Sequence, residues 1–234
     1  MWSWPADERE LIELQRRLAT AADAVEPWSP PEAFSELLVA AVFVTFPTGE
    51  HGPGSAGQPA WAAAALQRGG RPVESALVRG ASGAPYVAGL LALREGALLE
   101  GAVSALEQRP DLVVVDATGR DHPRRAGLAL HLGAVLDLPT IGVTNRALVA
   151  VADEPGPARG SATPLVAGGE VVGYAARTRA ATNPLLAHAA WRTTPETARD
   201  VLLALSVRWR TPRPLRDART LARVARAGDE GRLP

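Results

Sequence analysis

Two carboxylates stand where chemistry is possible. Asp116 closes the apolar run LVVVD at 112–116 and precedes the turn ATGRDHPRR, while Glu95 sits at the polar edge of the otherwise apolar PYVAGLLALRE. An apolar run of this length bounded by turn residues reads as a buried strand of the parallel kind. Open α/β sheets place their ligands beyond the carboxyl ends of such strands. An aspartate before a turn also serves as a helix cap, so Asp116 alone leaves both readings standing. A sheet-borne carboxylate that converges with one from a helix supplies the hard oxygen ligands of Mg²⁺ or Mn²⁺. In phosphodiester cleavage two such ions, about 3.5–4 Å apart, activate water and steady the leaving oxygen. The bland reading of Glu95 is a solvated helix residue paired with Arg94.

These side chains need a frame, and composition bounds it. A chain of 234 residues, 47% hydrophobic, suits one α/β domain with a sizeable core. With no Cys, disulfides, thiolate chemistry and zinc ribbons are excluded, and a cytoplasmic protein is expected. The formal charge of +0 gives no global case for nucleic-acid or membrane binding. All 25 basic residues are Arg, which beside abundant Ala, Gly and Pro reads as codon bias. No apolar run approaches the roughly 18 residues of a membrane span. MWSWPADERE has no apolar core of a signal peptide.

Along the chain, ADERELIELQRRLATAADAV predicts an amphipathic helix through Leu11, Leu14, Leu18 and Ala21, followed by the connector EPWSPPEAF. LLVAAVFVTF (37–46) predicts a strand, and AWAAAALQ, RGGR and PVESALVRG a hairpin, despite the poor strand propensity of Ala. LLALREGALLEGAVSALEQ reads as a helix with a Gly-Ala interruption, RRAGLALHLGAVLDL as a helix, and PTIGVT, GGEVVGYAAR and NPLLAHAAW as strands. Thr194 and Pro195 cap and open the next helix, and a last helix spans Pro214 to Ala227. The expected layout is a single unit: helix and connector over 1–35, core over 36–227, and a tail over 228–234. Three antiparallel strands followed by α/β crossovers and flanking helices make a mixed sheet of the ribonuclease-H-like class.

PYVAGLLALRE together with PDLVVVDATGRDHPRRAGLALHLGAVLDLPTIGVT resembles endonuclease V, a metal-dependent nuclease family that recognises inosine in nucleic acids. The similarity continues through RGSATPLVAGGEVVGYAARTRAATNPL to RTPRPLRDARTLA, roughly residues 37 to 226. The resemblance implies cleavage of the second phosphodiester bond 3′ to a deaminated base in DNA or RNA, with Mg²⁺ or Mn²⁺ as cofactor. It implies metal-binding roles for Glu95 and Asp116. Pro85, Tyr86 and Val87 match the start of a wedge that props the helix open, a use of an aromatic ring that offsets unstacking. Gly119 and His122 match the wall of the base pocket, and Arg124 and Arg125 lie where phosphate contacts are useful.

The departures from that pattern matter as much. Phe43 stands at the family's first metal-binding Asp, Asn145 at its Lys, and Trp191 at its late His; Ala88 and Ala117 replace a wedge Pro and a Gly. Phe cannot ligate a hard cation, and Asn145 removes a charge near developing phosphate charge. Glu50, His51 and Asp121 read as solvated or turn-forming, His188 as facing away from Trp191, and Ser82 as a loop residue. Arg216, Arg219, Arg223 and Arg226 share one helix face beside Leu215, Ala218, Ala222 and Ala225. Such a stripe either tracks phosphates or is the wet side of a docked helix. The expectation is an endonuclease-V-like protein that keeps recognition and has lost most cleavage. The alternatives are a working Mg²⁺-dependent nuclease with rearranged ligands, and an interaction scaffold on the nuclease fold.

Overall fold

The computed structural model describes residues 2–31, 33–49 and 51–231. Its strands are β1 (Leu38–Thr45), β2 (Pro59–Arg68), β3 (Arg71–Ala81), β4 (Leu112–Val115), β5 (Thr140–Thr144), β6 (Ala162–Ala167), β7 (Glu170–Ala176) and β8 (Leu185–Ala189). They form one sheet in the order β3-β2-β1-β4-β5-β8-β7-β6. The helices are α1 (Glu8–Ala24), α2 (Leu91–Ser104), α3 (Leu128–Leu136), α4 (Pro195–Leu205) and α5 (Arg213–Asp229). β1, β4 and β5 run parallel, while β2 and β3 fold back antiparallel on one side and β8, β7 and β6 on the other. This is the ribonuclease-H-like mixed sheet expected from the element order. No helix of the described residues is long and apolar enough to cross a membrane.

Period-two alternation sends neighbouring strand residues to opposite faces, and each face has its own helices. Ala40, Val42, Val113 and Val115 pack with α1, α2 and α3, whereas Val39, Ala41, Leu112 and Val114 pack toward α4 and α5. β2 is buried on both faces: Ala62 and Ala64 lie on the α2 side, and Trp61 and Ala63 against Ala222 of α5. Small side chains let both helices close on the strand, so tertiary packing outweighs the weak strand propensity of Ala. Each fully buried leucine, Leu202 and Leu215 among them, contributes about 1.5–3 kcal/mol through burial.

Several elements differ from expectation. The buried face of α1 is Leu11, Gln15, Leu18 and Ala22, rotated from the predicted Leu14 and Ala21, so a polar residue enters the stripe. α2 runs unbroken through Gly96 and Gly101, and at Gly96 the missing Cβ, which would lie 2.3 Å from the Trp4 ring, makes room for that ring. α3 begins only at Leu128, since Arg125 adopts φ +56 and its N–H donates to the His122 carbonyl, holding a turn instead. β6 was not foreseen; Gly168 and Gly169, at φ +59 and +83, supply the two-residue turn into β7. The expected tail does not start at 228, because α5 continues to Asp229, whose carboxylate accepts from Trp61 Nε1 and Arg79 at 2.7 Å.

Candidate active site

The β1–β4 register pairs Val42 with Val115, so the next residues along these two central strands, Phe43 and Asp116, lie side by side toward their C-terminal ends. Both face α5. There, Arg219 donates to Asp116 Oδ2 from Nη2 at 2.8 Å and from Nε at 3.2 Å. The Arg219 and Arg223 guanidiniums lie 5.6 and 5.3 Å from the Phe43 ring centroid. An aromatic face and a carboxylate therefore hold a cation between them, and that cation belongs to the protein.

Glu95 of α2 comes within electrostatic reach of Asp116. It keeps a little solvent access, yet burial pushes its carboxyl up to about 8, opposed by Arg94 and reinforced by Asp116. Arg94 is not its hydrogen-bonded partner. That guanidinium is buried, donates to the Ala84 carbonyl and Gln58 Oε1 at 2.7 and 2.6 Å, and lies over the Phe46 ring. It thereby anchors the loop that presents Pro85, Tyr86 and Val87. Ser82 is buried beneath the same loop and donates to the Ser55 carbonyl at 2.6 Å, a clamp rather than a free loop residue.

Beside Asp116 opens a cavity of about 340 Å³. Tyr86 and Val87 stand at its rim, 53% and 48% exposed, and His122, Thr118, Thr144 and Leu148 line it. The Gly89 carbonyl, at a φ of +80, accepts from Gln15 Nε2, His122 Nε2 and Arg124 Nη2 at 2.9–3.0 Å. His122 Nδ1 accepts the Arg124 N–H at 3.1 Å, which leaves the proton on Nε2 and both ring nitrogens engaged. The imidazole is thus a neutral wall and not a free base.

Other sequence-nominated residues lie elsewhere. Gly119 packs against β8, where a Cβ would come 2.1 Å from the Ala189 carbonyl oxygen, rather than lining the cavity. Arg124 spends Nε on Gln15, and Arg125 pairs with Asp23 and Glu170, so both hold structure in place of waiting free for phosphate. Asn145 Oδ1 accepts from Arg210, which also donates to the Asn183 and Pro184 carbonyls, tying the end of β5 to the entrance of β8. Trp191 is buried on the α3 side, edge-on to Trp2 at 6.4 Å, so the group beside Asp116 is Arg219 and not this ring. Asp121 is neither solvated nor a ligand: fully buried, it accepts the N–H groups of Leu148, Val149 and Ala150 at 2.8–2.9 Å. His188 lies behind it, with Nε2 2.8 Å from Thr144 Oγ1. Glu50 falls outside the described residues.

A family profile described as Endonuclease V matches residues 29–220. The chain belongs to the endonuclease V family. It is 48% identical over 157 residues to an endonuclease V of Nocardia farcinica, covering 66% of this chain and 68% of that protein. It is 40% identical over 151 residues to one of Xanthomonas axonopodis pv. citri, covering 64% of each chain. The matched part is therefore just under two thirds of that second relative. Among solved structures, endonuclease V of Streptomyces avermitilis superposes with a TM-score of 0.85 at 35% identity, covering 97% of this chain and 96% of that one. A Ciona intestinalis endonuclease V, solved with DNA containing an inosine followed by a ribo-adenosine, shares the fold at 18% identity and a TM-score of 0.74, over 93% and 98% of the chains.

Endonuclease V activity is metal-dependent in general terms, and the residues here do not fit a divalent ion. A hard cation needs converging ionised oxygens. At this site Asp116 is ion-paired to Arg219, Phe43 offers carbon, and burial raises the cost of ionising Glu95. Among the described residues no three His, Cys, Asp or Glu side chains gather to hold a metal.

The buried titrating groups make stability pH-dependent. Burial depresses His122, His131 and His188, each to about 4 from an ordinary 6.5. Between those values the unfolded chain binds imidazolium protons that the folded one refuses, so stability falls on acidification. Glu95 acts oppositely: raised from 4.5 to about 8, it favours folding at low pH and loses that contribution as pH rises through 8. With three such groups against one, stability climbs with pH between 4.5 and 6.5. It then declines gently toward pH 8. A Tm series across this range is expected to peak near neutral pH, and a flat profile below 6.5 would contradict the buried neutral histidines.

Proposed function

We propose that this chain recognises a deaminated base in DNA or RNA and performs little or no metal-dependent cleavage of it. The observation that carries the reading is the Arg219 guanidinium clasped between Asp116 and the Phe43 ring. A monovalent, immobile charge there can attract a phosphate, but it carries no water to activate and has no open coordination position. Recognition is supported by the cavity beside Asp116, with an exposed aromatic at its rim and a neutral histidine in its wall. An enzyme or binder acting on a base within a duplex extrudes it into such a pocket and fills the gap left behind. The exposure of the Tyr86 ring at the rim supports that role for it. The related Ciona protein, bound to inosine-containing DNA, makes a deaminated base the class of ligand to test first.

Rearranged catalysis finds less support. Asp121 has spent its oxygens on three backbone N–H groups, and His188 lies fully buried behind it. The test pairs two assays on oligonucleotides with and without inosine. Wild type is expected to bind the inosine strand preferentially while nicking it little or not at all with Mg²⁺ or Mn²⁺. Tyr86→Ala is expected to lower that preference about tenfold, the scale of one lost base-stacking contact. Metal-dependent turnover that Asp116→Ala abolishes would refute the impaired reading.

A further inference from the structure

A second cavity exceeds in volume the one beside Asp116. It holds about 570 Å³ between the β2–β3 turn, the segment after α4, and the start of α5. Phe34, Leu37 and Leu205 form an apolar floor, and Trp209 and Arg216 a wall. Trp209 is 43% exposed, an unusual position for a large ring with an N–H. The Arg216 and Arg208 guanidiniums lie 4.4 and 5.4 Å from its ring centroid. Asp217 is the one acid among the lining residues and is paired with Arg213 at 3.3 Å, so three arginines face one carboxylate on a chain of zero net charge. Arg216 also stands one turn before Arg219, about 4.5 Å along the helix axis. The cavity and the Asp116 site thus share one cationic helix edge.

We propose that this cavity is a second nucleic-acid subsite, in which Trp209 stacks an unpaired base of a strand whose backbone follows Arg216 toward Arg219. An aromatic face beside arginines suits a single strand, because every base has a π-face and every linkage a negative charge. A membrane surface fits poorly, since the apolar floor is concave and recessed. The proposal rests on the nucleic-acid reading above, but not on the base pocket at Tyr86, so it predicts contacts indifferent to inosine.

Fluorescence anisotropy with two labelled single strands, identical except for one inosine, separates the possibilities. Trp209→Ala should weaken both strands by the same factor, roughly 5- to 100-fold, while Trp209→Phe retains most affinity. Arg208→Ala and Arg216→Ala should each lower the slope of log affinity against log salt by about 0.7, the single-strand value per phosphate contact. Wild-type binding that Trp209→Ala leaves unchanged, with an unaltered melting temperature, overturns the subsite and leaves the Tyr86 pocket standing. That result also follows if the surface serves a protein partner. Loss of inosine preference in wild type, with Trp209 dependence intact, supports the subsite and overturns the pocket. No binding of either strand by wild type overturns both.

Discussion

Phe43→Asp combined with Arg219→Ala is expected to produce Mn²⁺-dependent nicking of inosine-containing strands at least ~100-fold above wild type, the scale set by a preorganised charge at a developing oxyanion. The two changes should be strongly non-additive. Phe43→Asp alone places a second carboxylate against the Arg219 and Arg223 guanidiniums, which now lie over that ring. The new acid would close an ion-pair network and leave no room for a metal. Arg219→Ala alone frees Asp116 but leaves an apolar ring where an oxygen ligand is needed. Only together do they offer ionised oxygens to a cation, which would also favour the ionised form of Glu95. The same double variant should show Mn²⁺ binding by calorimetry that wild type lacks. Metal binding and nicking no better than wild type, in a double variant that melts cooperatively, would show that more than these two residues blocks the site.

Asp121→Ala should be the most damaging single substitution in stability. It removes the acceptor of three backbone N–H groups at a position with no solvent access. Leaving the buried Ala150 N–H unsatisfied costs about 1–3 kcal/mol and the two part-buried groups about 1 kcal/mol each, so a total near 3–5 kcal/mol and a Tm lower by roughly 10 °C follow. The loss should concentrate in 145–150, where Arg146 and Leu148 line the cavity beside Asp116, so hydrogen exchange there should accelerate and base discrimination fall with it. Asp121→Asn should be intermediate, since Oδ1 can still receive Val149 and Ala150 while the amide opposes the Leu148 N–H. A melting temperature within about 2 °C of wild type in Asp121→Ala would dismiss the clamp.

How far the sequence reached is clearest residue by residue. The strand-end position of Asp116, the rim loop at Tyr86, and the Thr194–Pro195 helix start were legible because each is written in local pattern: an apolar run, a turn, a cap. Period-two and near-3.6 spacing fixed which elements exist and their order, and with them the mixed sheet. Gln15 could have been suspected, since a polar residue in the buried stripe of α1 needs a partner; it finds Gly89 and Arg124. The Arg216–Arg226 stripe was visible as a face, but not what it faces.

What the sequence by itself determined is the fold class, carried by local periodicity, and the family, carried by the resemblance of its longer motifs. What only the tertiary structure decided is which group Asp116 meets. Arg219 is 103 positions from Asp116 and meets it because α5 docks back across β1 and β2. Likewise Asp121 turns from a surface acid into a buried clamp once 148–150 close over it. Such pairings depend on distance in space and on burial, which raise the cost of an unpaired charge, and neither quantity is encoded in the spacing of residues along the chain.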